Sequence, residues 1–157
     1  MSRGTGKEGL LRELGDEFRI NQNLNEVFDD AARTRLGVNA TDLRCLDIIQ
    51  RLDGVTAGEL AREAGLTTGA VTSVIDRLER AGYVKRENDP NDRRKVLVRM
   101  TPAAFEAVYS IWGPETQDYM EQMSSLPREQ LEAFVEFMRE ANEIQRKHLD
   151  RIRGETG

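Results

Sequence analysis

The sequence has 157 residues, 38% of them hydrophobic and 32% charged, with a formal net charge of −5. Such a chain suits a soluble domain with long exposed helical faces, able to bury a core without staples. No apolar run approaches the ~18 residues of a membrane span, and a single cysteine, Cys45, excludes an intrachain disulfide, so a cytoplasmic protein with no membrane partner is expected.

The first residues, MSRGTGKEG, carry charge with no apolar stretch behind them. They read as a frayed end and not as a signal peptide. From about residue 8 to 36 apolar residues recur at helical spacing, at Leu10, Leu14, Phe18, Leu24, Val27, Phe28 and Ala31. One long helix is expected there, bent near Ile20 to Asn23 and ended by Gly37 with Asn39. A second helix is expected to start on Thr41 as N-cap and to run to Leu52, with Cys45, Leu46, Ile48 and Ile49 turned inward. Thr56 followed by Glu59 is a capping box for a short third helix over 57–64, which Gly65 stops. Thr67 caps a fourth helix over 68–81, ended by Gly82.

Residues 83–87 and 95–100 read as two strands, the second by its period of two at Val96, Val98 and Met100. Between them lies a polar loop containing Pro90. Thr101-Pro102 opens a fifth helix to about Met123, with a break expected at Gly113-Pro114. Leu126-Pro127 opens the last helix, to about Arg153. No repeat, low-complexity segment or internal linker divides the chain, so residues 1–157 are read as one domain. The fold class is mainly α with a small β wing.

The third and fourth helices carry a helix-turn-helix spacing. Ala61 is small enough for a close crossing, Gly65 takes the turn, and Val71 packs back, with Leu60, Leu66 and Val74 completing the shared core. In "LTTGAVTSVIDRLERAG" the stripe Val71, Val74, Ile75 and Leu78 is buried, which leaves Thr68, Gly69, Thr72, Ser73 and Arg77 outward. Small hydroxyls suit base edges or phosphates, Gly69 permits close backbone approach, Arg77 can reach a phosphate or a guanine edge, and the helix N-terminus at Thr67 and Thr68 favours a phosphate.

Charge is distributed unevenly. Residues 76–99 hold eight cations and five anions, a local sum of +3, against −8 for the remainder. Arg93, Arg94 and Lys95 stand together at the hairpin, where arginine suits a narrow minor groove. Asp92 beside them can orient a guanidinium through a bidentate contact. A charged strand edge that resists aggregation explains the same cations without a ligand.

The stretch "LTTGAVTSVIDRLERAGYVKRENDPNDRRKVLVRMT" resembles the core of the MarR-type winged helix-turn-helix regulators. The resemblance rests on Asp76-Arg77-Leu78, Gly82-Tyr83-Val84, Asp92-Arg93-Arg94 and Thr101. Pro102-Ala103-Ala104 departs from the glycine usual just beyond that threonine. The resemblance implies a winged DNA-binding region over about 41–101, flanked by helical dimerisation regions over about 8–36 and 102–153. It implies a homodimer on a pseudo-palindromic duplex, with recognition helices in major grooves, wings in flanking minor grooves, and half-sites about 34 Å apart. Thr68, Thr72, Ser73 and Arg77 would face the major groove, and Arg93 or Arg94 the minor groove.

Dimerisation would draw on Leu10, Leu11, Leu14 and Phe18 of the first helix and Phe134, Met138, Ile144 and Leu149 of the last, whose apolar stripes seek partners. Phe28, Phe105, Tyr109 and Trp112 are candidates for a small-molecule effector pocket, although aromatics at helical spacing also serve as simple core. Cys45, on the inward side of its helix, reads as a buried and inert thiol. With one histidine, His148, and one cysteine, no metal site and no cofactor is expected. There is no phosphate loop and no nucleophile–histidine pair, so the chain is not read as an enzyme. The expectation is a transcriptional regulator, a repressor released by a ligand. The competing expectation is a winged module for protein interaction that does not read DNA.

Overall fold

The computed structural model describes residues 6–154; of the nine residues MSRGTGKEG expected to fray, the first five lie outside what is described, whereas Lys7, Glu8 and Gly9 are not frayed but form the first turn of a helix. Six helices and two strands follow in the order α1 (Lys7–Leu36), α2 (Ala40–Arg51), α3 (Ala57–Ala64), α4 (Thr68–Arg80), β1 (Val84–Asn88), β2 (Val96–Met100), α5 (Pro102–Ser124) and α6 (Arg128–Gly154). The chain divides into two compact units, Met1–Ile111 and Trp112–Gly157.

In the first unit the core is built by α2, α3, α4 and the hairpin. Leu46, Ile49, Val55, Leu60, Val71, Val74, Ile75, Leu78 and Val98 are almost fully buried. The turn of the helix-turn-helix works as its spacing demands. Gly65 adopts φ 64°, a left-handed conformation natural to glycine. The amide of Leu66 then donates to the Ala61 carbonyl at 2.8 Å, closing the end of α3. Leu60 and Val74 are buried as expected, while Leu66 is half-buried.

The strands pair antiparallel, from Val84 opposite Met100 to Asn88 opposite Val96. Val55 adds a one-residue bridge to β2, exchanging backbone bonds of 3.1 and 2.8 Å with Val98. This ties the wing to the α2–α3 connection. Thr101 locks the far end: its hydroxyl donates to the Gly82 carbonyl at 2.8 Å and accepts from the Ala104 amide at 3.1 Å, which caps α5.

Two expectations are corrected. The cap of α2 is Asn39, not Thr41: the Asn39 side-chain oxygen accepts from the Asp42 amide at 2.9 Å, and the helix already includes Ala40 and Thr41. Both residue types cap well, and the chain uses the earlier one. The break expected at Gly113-Pro114 does not occur, since Pro114 lies inside α5. Proline there removes one rung, the bond to the Ser110 carbonyl, at a cost of about 3 kcal/mol, which a long helix tolerates. α1 is the one long helix expected, continuous through Ile20 to Asn23 and ended by Gly37 at φ 67°.

The second unit contains the remainder of α5 and α6. The Pro127 carbonyl accepts from the amides of Gln130 and Leu131 at 3.0 and 3.2 Å, which starts α6. α6 has no buried residue along its 27-residue length.

Candidate nucleic-acid interface

The exposed face of α4 is polar and low in relief. Thr67 caps the helix, its hydroxyl oxygen accepting from the Ala70 amide at 3.3 Å. Thr68, Gly69, Thr72 and Ser73 are all exposed. The Thr72 hydroxyl donates to the Thr68 carbonyl at 2.9 Å and the Ser73 hydroxyl to the Gly69 carbonyl at 3.1 Å. Both hydroxyls therefore present lone pairs outward, while Gly69 leaves the backbone open beside them.

Arg77 is placed differently from the outward reach expected for it. Its guanidinium turns to α2 and forks onto Asp42, Nη2 to Oδ1 at 2.6 Å and Nε to Oδ2 at 3.1 Å. The Asp42 side chain is only 7% exposed and that of Arg77 43%. The bond to Asp42 holds the Arg77 guanidinium even more firmly in its charged form. Sequence reasoning missed Asp42 altogether. It lies 35 positions from Arg77, and no local pattern joins the two.

The wing loop is organised by its own carboxylates. Asp89 Oδ1 accepts from the Asn91 amide at 2.8 Å, and Asp92 Oδ1 from the Arg94 amide at 3.1 Å. The Asp92 carbonyl accepts from the Lys95 amide at 2.8 Å. Asp92 Oδ1 also meets Arg94 Nε at 3.3 Å. That is a contact through one oxygen, not the bidentate fork expected of Asp92. The Arg94 side chain stays 91% exposed, and Arg93 and Lys95 are exposed beside it.

Below the tip, cations are paired within the fold. Arg86 of β1 grips α4, Nη2 meeting Asp76 at 2.6 Å and Nη1 meeting Glu79. Its charged form is favoured first by the bond to Asp76. Arg99 of β2 bridges Glu87 at 2.7 Å and Asp53 at 3.1 Å, and Lys85 meets Glu87 at 2.9 Å. These bonds, led by that from Lys85, hold the Glu87 carboxyl below its usual range. Of the cations in residues 76–99, Arg77, Lys85, Arg86 and Arg99 are paired within the fold; at the wing tip Arg94 meets Asp92 yet stays 91% exposed, beside the exposed Arg93 and Lys95.

The residues expected at a dimer surface are exposed within one chain: Leu10, Leu11, Leu14 and Phe18 on α1, and Phe134, Met138, Ile144 and Leu149 on α6. Among the expected effector aromatics, Phe105 and Tyr109 stack with centroids 6.4 Å apart and stay exposed. Phe28 is half-buried in the first unit, and Trp112 opens the second. An open recess of about 820 Å³ lies instead at the α1–α2 elbow, lined by Arg33, Asn39, Asp42 and Arg77 among others and by none of those aromatics. Cys45 is fully buried, and burial pushes its thiol pKa up. Among the described residues no three potential metal ligands gather, and no helix is long and apolar enough to cross a membrane.

Two short helices joined by a left-handed turn and followed by a two-stranded wing define a winged helix-turn-helix protein. The MarR family model matches residues 38–96. Over 153 residues the chain is 39% identical to the uncharacterized HTH-type transcriptional regulator YcgE of Bacillus subtilis (strain 168), covering 98% of this chain and 99% of that one. The chain belongs to the MarR family of transcriptional regulators. Its fold is similar to that of a MarR family protein from Bacillus stearothermophilus, at a TM-score of 0.61 and 21% identity over 90% of this chain and 99% of that one. It is also similar to a mutant of S. aureus MepR bound to an oligodeoxyribonucleotide, at a TM-score of 0.57 and 17% identity over 84% and 97% of the two chains. At these identities the likeness is one of fold.

Proposed function

We propose that this chain is a homodimeric repressor that binds a pseudo-palindromic double-stranded DNA operator. In this reading α4 enters the major groove through Thr68, Gly69, Thr72 and Ser73, with Thr67 at the phosphate end. The wing places Arg93, Arg94 and Lys95 along the neighbouring minor groove. Arg94, oriented by Asp92, is the residue that enters it. The observation that carries the reading is the distribution of charge: a net-acidic chain pairs much of its local cationic excess internally and exposes cations at the wing tip. The exposed residues of the first turns of α4, Thr68, Gly69, Thr72 and Ser73, are small and uncharged.

The homodimer follows from exposed apolar stripes on α1 and α6 that a second copy would cover. A small-molecule effector is the further part of the reading, and the exposed Phe105–Tyr109 stack is the aromatic surface offered to it.

The test is selection of bound duplexes from a random pool, followed by affinity measured at several salt concentrations. An enriched palindrome whose affinity falls steeply with salt supports the reading. A folded protein that enriches no duplex would instead point to a winged module for protein contacts.

A further inference from the structure

Arg77 sits at the wrong end of its helix for reading bases. Recognition helices contact base edges mainly with their N-terminal residues. Arg77 belongs to the last turn of α4. Its two bonds run to a carboxylate on the opposite element, and that carboxylate is buried. Turning the guanidinium toward a phosphate would leave Asp42 charged, buried and without its partner, an unfavourable exchange.

Asp42 is itself fixed, because its own amide is held by the Asn39 cap at 2.9 Å. A second strut runs parallel. Tyr83, just beyond α4, donates its phenolic hydrogen to the Leu36 carbonyl at 2.6 Å, in the last turn of α1. Leu36, Gly37, Asn39 and Asp42 together form the elbow between α1 and α2. Both the body and the exit of the recognition helix are thus fastened to one short segment.

We infer that Arg77 is a positioning residue: through Asp42 it sets the attitude of the recognition helix on the α1–α2 elbow, with Tyr83 on Leu36 as the companion strut, and it makes no DNA contact. The inference rests on the DNA-binding reading above. It separates Arg77 from the wing arginines, which act on phosphate or groove directly.

The two roles give different results with a conservative variant. Lysine keeps a cation for a phosphate but cannot fork onto both oxygens of Asp42. On the duplex that the wild type selects, affinity is measured across a salt series for Arg77→Lys, Arg77→Ala, Asp42→Asn and, as control, Arg94→Ala. Circular dichroism and thermal midpoints establish that each is folded at the binding temperature. Expected are losses of tenfold or more for both Arg77→Lys and Asp42→Asn, with the salt slope of the wild type, and a combined Asp42→Asn/Arg77→Lys variant no weaker than the poorer single one. The Asp42→Asn result is the sharper, since removing an anion beside DNA would by charge alone tighten binding. If Asp42→Asn lowers the midpoint too far, the exposed Arg77→Lys carries the test. Arg77→Lys binding like wild type, with Arg77→Ala shallower in slope by about 0.9, would identify a phosphate contact and overturn the inference. A wild type that selects no duplex overturns the DNA-binding reading and this inference together.

Discussion

Arg99 of β2 donates a hydrogen bond to the backbone carbonyl of Asp53, the one non-glycine residue with positive φ, 49°, among the described residues. The same side chain meets the Asp53 and Glu87 carboxylates, so one guanidinium holds the α2–α3 turn against both wing strands. Gly54 follows at φ 104°, where an added Cβ would lie 2.9 Å from Arg99 Cγ. Arg99→Ala should lower stability by about 1 kcal/mol, and Gly54→Ala by about 1–3 kcal/mol through backbone strain and displacement of Arg99. Gly58 provides the contrast, since it lies in α3 with open space around it. Gly58→Ala should raise stability by about 0.5 kcal/mol. Urea unfolding of the three variants reads these signs, and a neutral Gly54→Ala would show that the turn is not under the stated constraint.

Thr56 and Glu59 form a reciprocal box at the start of α3. The Thr56 hydroxyl oxygen accepts from the Glu59 amide at 3.3 Å, and the Glu59 carboxylate accepts from the Thr56 amide at 2.9 Å and from its hydroxyl at 2.7 Å. Thr56→Ala should cost about 1 kcal/mol. The backbone bond from Thr56, more than any other cause, holds the Glu59 carboxyl below the ordinary glutamate range. A carboxyl depressed in the folded state contributes stability above its unfolded pKa and loses it as pH falls through the folded one. Stability profiles of wild type and Glu59→Gln should therefore converge in acid and separate toward neutrality. Parallel profiles would remove the box from the pH dependence.

Cys45 should be silent in the folded protein. Burial raises its pKa, and the thiolate is the reactive species. A thiol reagent at neutral pH should modify the native chain far more slowly than the urea-unfolded chain. Equal rates would place Cys45 outside the core.

Leu14→Glu on α1 and Ile144→Glu on α6 should each weaken self-association at least tenfold by sedimentation equilibrium. Both positions are exposed in the single chain, so helical content should remain. Unchanged association in both variants would move the dimer surface elsewhere.

What the sequence revealed about this fold depends on distance along the chain. Thr56, Glu59 and Gly65 announce α3 because each acts on backbone within a turn of itself. Val71, Val74, Ile75 and Leu78 mark the buried face of α4 by period alone, and all four are buried. The α2 cap was misplaced because Asn39 and Thr41 are both competent and only the fold chooses. The Pro114 expectation failed because one lost rung does not end a helix. The Arg77–Asp42 fork and the Tyr83–Leu36 bond were invisible, since each joins residues far apart whose types have several common uses. The wing cations were legible as a cluster, but the carboxylates that shape their loop became clear only with the backbone bonds of Asp89 and Asp92.

Thr72 and Ser73 give their hydrogens to carbonyls of their own helix, and this shapes how such a protein can diverge. Outward they offer acceptors, which match the amino groups of adenine and cytosine in a major groove. Neither side chain contributes to the core or to the cationic tip. Under the proposed DNA-binding reading, a descendant could exchange one of them and change the base it prefers while inheriting the same stability and the same salt-dependent grip. If α4 and the wing act on DNA as proposed, preference and strength are separate heritable traits, one carried by α4 and the other by the wing.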